Sequence, residues 1–155
     1  MTTELEDRVA LRALVDTYST SVILRDEAGL ASVFAPDAVW ELGPPFNVRH
    51  VGAETIARDL TAGLRAFEFV FQMAHSVVIK FDRDRAALRC VINEVARSLE
   101  GDGLFLLGIY EDEAVRRPEG WRFARRYFRT VYVDTNPLPG QGVPPPEGLW
   151  GPAAR

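Results

Sequence analysis

The stretch that most constrains the fold is His75 to Arg97, HSVVIKFDRDRAALRCVINEVAR. Its alternating pattern predicts two antiparallel strands joined by a tight Asp82-Arg83-Asp84-Arg85 turn. Successive side chains on a strand point to opposite faces. With Lys80 in water, Ser76 and Val78 share its side, and His75, Val77, Ile79 and Phe81 form an apolar row ending in an imidazole. On the second strand Arg89, Asn93 and Arg97 share one face, and Ala86, Leu88, Cys90, Ile92 and Glu94 share the other. If both apolar rows face one interior, a histidine and a carboxylate enter a greasy space, which suits acid–base chemistry on an apolar small molecule.

The remaining elements surround this hairpin. Thr3-Glu4-Leu5-Glu6 reads as a capping box opening a helix that runs to about Leu24. Leu11, Leu14, Tyr18 and Val22 fall on its buried stripe, so Tyr18 carries a hydroxyl inward, to a core partner or to a pocket. Asp26 caps a short second helix, Glu27 to Phe34, and Ala38 to Leu42 reads as a short strand with Trp40 in the core or on a pocket wall. Gly43-Pro44-Pro45 breaks it, and the segment through His50 reads as a loop carrying a solvated histidine. Gly52 to Leu64 reads as a third helix. Phe67, Phe69 and Phe71 lead towards His75, as cavity mouth or plain core.

Leu104 to Val115 and Trp121 to Val133 read as two further strands around an Arg117-Pro118-Glu119-Gly120 turn. Arg122, Arg125, Arg126 and Arg129 break the period of two, so some of them sit on the inward face or in an interface. Helices first and a strand meander last predict an α+β domain over residues 1–134. The expected packing is a curved antiparallel sheet wrapped on its concave face by the helices, a cone with a pocket at its open end. Residues 135–155 hold six of the ten prolines and read as an extended tail, ordered only against a neighbouring subunit if at all.

Composition excludes other classes. A net charge of −4 gives no reason to expect nucleic acid. No apolar run spans a bilayer, the acidic N-terminus carries no leader pattern, and a cytoplasmic protein is expected. The single cysteine, Cys90, rules out an internal disulfide and reads as a small buried hydrophobe. Two distant histidines give no metal spacing, and no nucleotide-binding motif is present, so neither metal nor cofactor is expected. The outer sheet face, with Val78, Val91, Val95 and several arginines, predicts a homodimer contact.

Tyr18, the Asp26 and Leu30-to-Trp40 stretch, Asp84-Arg85-Ala86 and Gly120-Trp121-Arg122-Phe123 together resemble the SnoaL-like branch of the NTF2-like superfamily over most of residues 5–133. The resemblance implies the cone fold. It leaves function broad, because the superfamily spans ketosteroid isomerases, scytalone and bile-acid dehydratases, polyketide cyclases, dioxygenase small subunits and non-catalytic binders. The dehydratase members use a tyrosine on the first helix, an aspartate shortly after it and a histidine on the sheet. Tyr18 matches the tyrosine and His75 is similar in placement to the histidine, while Ile23 stands where the aspartate is expected. Glu94 is the candidate replacement carboxylate.

The reading is a cofactor-free dehydratase, isomerase or cyclase acting on an apolar oxygenated ring compound of steroid or polyketide type. His75, Tyr18 and Glu94 are its expected catalytic groups, and Ile23, Trp40, Val77 and Ile92 its expected binding wall. The alternative is a binding or accessory module that kept the pocket and lost the aspartate. A purely interaction-mediating subunit is a third reading, resting on the exposed sheet and the proline-rich tail.

Overall fold

The computed structural model describes residues 3–143. Helix α1 spans Glu4–Leu24. The Thr3 hydroxyl accepts from the Glu6 amide at 3.3 Å while the Glu6 carboxylate accepts from the Thr3 amide at 2.6 Å, closing the capping box. Arg25 ends the helix in the left-handed region at φ 55°. Asp26 then caps α2, Glu27–Val33, by accepting from the Gly29 amide at 3.0 Å. Strands β1, Phe34–Leu42, and β2, Val48–Val51, precede α3, Ala53–Leu64. Four long strands follow: β3 Phe67–Asp82, β4 Arg85–Ser98, β5 Gly103–Arg117 and β6 Gly120–Asp134.

The six strands form one curved, open sheet in the order β2-β1-β6-β5-β4-β3. Three corrections to the sequence reading follow. The sheet is mixed, because β1 runs parallel to β6, while the β3 to β6 meander is antiparallel as expected. Alternation reveals strands but not their relative direction, which here is set by the α3 crossover that carries the chain to the far edge. The segment read as a loop through His50 is strand β2, with His50 opposite Trp40. The phenylalanine run belongs to β3, so that strand starts at Phe67.

Bulges in β3 and β6 control which side chains enter the interior. A bulge adds a residue to one strand and shifts its inward parity. In β3 the irregularity lies between Ala74 and Val77, which face Ile92 and Cys90 of β4. In β6 one falls between Phe123 and Arg125 and another between Thr130 and Tyr132. The first of these two explains the broken arginine spacing: Trp121 and Phe123 point inward on odd positions, Arg126 and Phe128 on even ones. Gly108 faces Phe128 across the second, where any Cβ would overlap the phenyl ring.

Arg126 is therefore driven into the core with zero exposure. Its Nε and Nη2 donate to the two oxygens of Asp112 at 2.9 and 3.0 Å, a bidentate pair fully removed from water. Tyr18, Tyr110 and Phe123 surround the guanidinium, with ring centroids 4.1, 3.9 and 4.2 Å from Cζ. Burial pushes the Asp112 carboxyl up and Arg126 pulls it back down. Cys90, also on the inward face, has its thiol pushed up to about 11 by burial, which leaves it inert as a nucleophile.

After Asp134 the chain carries no helix or strand through residue 143, and Arg97 donates to the Gly140 carbonyl at 2.7 Å. Residues 144–155 of the expected tail lie outside the described residues.

Removing one partner of a buried ion pair leaves the other charge stranded. Asp112→Ala should lose about 3–5 kcal/mol in urea unfolding. The double variant Asp112→Leu/Arg126→Met, which removes both charges, should recover most of that loss. Equal destabilisation of the single and double variants would show that charge pairing is not what the core requires.

Candidate functional site

One cavity of about 300 Å³ lies between the helices and the concave face of the sheet. Its walls come from α1 (Tyr18, Val22), β1 and β2 (Trp40, Val48, His50), α3 (Asp59, Leu60, Leu64) and the sheet (Gln72, Glu94, Leu106, Tyr110, Phe128). Most of this lining is apolar, so each polar group in it bears on a ligand's orientation.

The first polar group is a hydroxyl pair at the cavity floor. The Trp40 indole donates to the Tyr18 hydroxyl at 2.9 Å, and the Tyr18 and Tyr110 hydroxyls lie 3.0 Å apart. An indole N–H can only donate, so the Tyr18 oxygen accepts there and keeps its own proton to offer. Burial raises both phenols, Tyr110 well above the ordinary range, while Arg126 beneath them lowers both. Both remain protonated donors at neutral pH.

The second is Glu94, placed inward by the even-numbered face of β4. Gln72 donates to its Oε2 at 2.7 Å, and the Ser19 hydroxyl donates to the Gln72 carbonyl oxygen at 3.2 Å. The serine fixes which end of the amide faces the carboxyl. Desolvation raises Glu94 from its ordinary value of 4.5, opposed only by the hydrogen bond from Gln72.

The third lies where the cavity reaches solvent. His50 Nδ1 is 3.1 Å from Asp59 Oδ2, with the two side chains 26% and 31% exposed. The imidazole stacks on Trp40 at 5.8 Å and 22°. Arg58 donates to the other oxygen of Asp59 at 2.9 Å.

The structure brings Tyr18, Trp40 and Glu94 to this cavity and leaves the other expected residues outside it. His75 is exposed and does not line the cavity. The bulge after Ala74 breaks the parity that linked it to Val77, and Arg12 clamps the distorted backbone by donating to the carbonyls of Ala74, at 3.0 Å, and His75. Ile23 is half-buried off the cavity, since five residues turn a helix by about 140° past Tyr18, and Val22 takes the inward place. Ile92 and Val77 face inward but lie deeper, in the packed core one and two inward steps beyond Glu94. The sequence reading passed over His50, Asp59, Gln72 and Tyr110. For His50 a signal existed: Val48 and His50 alternate after the Pro44-Pro45 turn and can pair with the Trp40 strand. Asp59 adjoins Leu60 on the apolar face of α3.

A curved, open sheet under three helices, with one apolar cavity at its wide end, is the α+β cone of NTF2-like proteins. Within that class, the SnoaL-like domain model matches residues 3–127, and the chain belongs to this family. An uncharacterised protein of Mycobacterium tuberculosis is 28% identical over 130 residues, covering 79% of this chain and 84% of its own. Among solved structures, hexachlorocyclohexane dehydrochlorinase LinA-type3 from Novosphingobium barchaimii superposes with a TM-score of 0.78 at 24% identity, over 92% of this chain and 97% of its own. A protein from Novosphingobium aromaticivorans assigned as a scytalone dehydratase gives 0.76 at 22% identity, over 89% and 97%. Among the described residues no helix is long and apolar enough to cross a membrane.

The position of Glu94 makes stability depend on pH. A carboxyl raised by folding adds stability that is complete below its unfolded value and is lost as pH rises through its folded value. Urea unfolding should therefore show wild type losing ground to Glu94→Gln as pH climbs above 4.5. A pH-independent difference between the two proteins would mean that Glu94 is ionised as easily in the fold as out of it.

Proposed function

We propose that the protein is a cofactor-free acid–base enzyme, a lyase, isomerase or cyclase, acting on an apolar ring compound that carries a carbonyl or hydroxyl oxygen. The observation that carries this reading is Glu94: a carboxyl on the wall of a mostly apolar cavity, raised by desolvation and hydrogen-bonded by Gln72 alone. A neutral carboxylic acid is a strong donor to a substrate oxygen and a proton source when charge develops there. The Tyr18–Tyr110 pair, which uses one O–H between its own hydroxyls, supplies one further donor, and Trp40 with Leu106 and Phe128 supplies flat apolar contact for a ring. The similarity to a dehydrochlorinase and to a protein assigned as a dehydratase supports the same class.

The outer sheet face is proposed as a homodimer contact. Val78 and Val91 are exposed there at 60% and 44%, beside a belt in which Arg89 and Arg129 flank Glu111. Such mixed apolar and charged faces suit association. Sedimentation equilibrium should show a dimer that Val91→Glu converts to monomer; a wild-type monomer at every concentration would refute the contact.

The test of function uses α-proton exchange of a cyclic ketone, 2-tetralone, in deuterated buffer. Wild type should accelerate exchange over buffer, and Glu94→Gln should lower the enhancement by about 10²–10⁴-fold. Binding without acceleration, read by quenching of tryptophan fluorescence, would leave only a ligand carrier.

A further inference from the structure

The cavity holds a second proton-handling group that neither its fold nor its polar floor requires. His50 hangs from β2 at the sheet edge, and Glu94 from β4, with β1, β6 and β5 between them. Both line the same 300 Å³ space. His50 is set face to face against the Trp40 indole, with one ring nitrogen 3.1 Å from the Asp59 carboxylate. Asp59 accepts only, so the nitrogen facing it is the one that carries hydrogen in the neutral ring. That leaves the Nε2 lone pair uncommitted, and no hydrogen bond to Nε2 is formed among the described residues. Trp40 fixes the plane of the ring and Asp59 its rotation, which is the arrangement of a nucleophile or base oriented by a third group. Among the described residues no serine, threonine or cysteine lines the cavity with it, so the ring has no nucleophile there to activate.

We propose that His50 is the proton acceptor of this cavity, with Asp59 its positioning residue, and that the substrate is a ring compound with an acidic C–H next to its carbonyl. This rests on the reading of Glu94 as the acid. The step balances between the two groups. His50 Nε2 takes the proton from the carbon, the electron pair of the broken C–H bond becomes the new C=C bond, and the carbonyl oxygen takes the proton of Glu94. The product is the enol, with His50 protonated and Glu94 ionised. Reversal returns the ketone, and solvent can reload His50 because the pair stands at the cavity opening with a quarter of the imidazole exposed. The charged groups around the ring are few: Asp59 against it, Arg58 on the far oxygen of Asp59, and its neighbour Arg49, which lies 3.6 Å from Glu41.

The protein has two histidines, and exposed His75 serves as an internal reference. Long-range ¹H–¹⁵N spectra above the ordinary imidazole range should show His50 as the Nδ1–H tautomer, a preference that Asp59→Asn removes and Asp59→Glu restores. Adding 2-tetralone should shift His50 and leave His75 in place. In the exchange assay, His50→Gln should lower the enhancement by about 100-fold or more, with Asp59→Asn falling between it and wild type. An Nε2–H tautomer, a His50 signal that the bound ketone does not move, or wild-type exchange in His50→Gln would each overturn the assignment, while the Glu94 reading would still stand on the Glu94→Gln comparison. A wild type that exchanges no ketone proton would overturn both.

Discussion

The interior is arranged around a cation that has no access to water. Arg126 sits at zero exposure, bidentate to Asp112 and enclosed by Tyr18, Tyr110 and Phe123. Desolvating both ions costs several kcal/mol each, so the pair is not there for stability alone. Its geometry accounts for much of what lies above it. Nη1 has no hydrogen-bond partner, and the ring faces are what surround its charge. The two tyrosine rings pack edge to face at 78° around the guanidinium, and their hydroxyls are turned to each other and to the Trp40 indole. The floor of the cavity is the upper surface of this stack.

A second ion pair explains why the cone is open at one end only. Asp7, in the first turns of α1, accepts from Arg116 at 2.8 Å and from the Trp121 indole at 3.0 Å. Arg116 and Trp121 flank the β5–β6 turn, and Arg116 also stacks on Trp121 at 4.5 Å. The N-terminal end of α1 is thus tied to the narrow end of the sheet. At the other end α1 stops at Arg25, which donates to the Phe67 carbonyl at 2.7 Å and leaves Phe67, Leu64 and Leu104 around the opening. The helix is anchored at both ends, and the unfilled space falls between its last turns, α3 and the sheet.

The sequence was a good guide wherever alternation ran unbroken. The even face of β4 from Ala86 to Glu94, the α1 stripe through Tyr18 and the capping box at Thr3 were all legible, because each follows from a local period. The failures lie at bulges and at a short strand. One extra residue after Ala74 turned His75 out of the cavity, and nothing in the apolar run through Val77 announces it. Strand β2 has four residues between a proline turn and a helix, so the alternation of Val48 and His50 is a short signal, and the histidine that does face the cavity read as a loop residue. The irregular arginine spacing in β6 did announce that some of the four arginines leave the outer face, since a period of two cannot place all four on one side. Which arginine turns inward depended on a partner, Asp112, fourteen residues earlier in the chain.

The same ion pair also bears on the ionisation of Glu94. A carboxyl near a buried arginine ordinarily loses its proton, because an opposite charge within about 4–6 Å favours ionisation. Arg126 lies in the same interior and lowers the neighbouring phenols, yet it makes no contribution to Glu94, whose shift comes from desolvation against one amide hydrogen bond. The arginine is committed to Asp112 by a bidentate contact. Three rings surround it. The interior therefore holds one bidentate ion pair and, on the cavity wall, a carboxyl that desolvation raises.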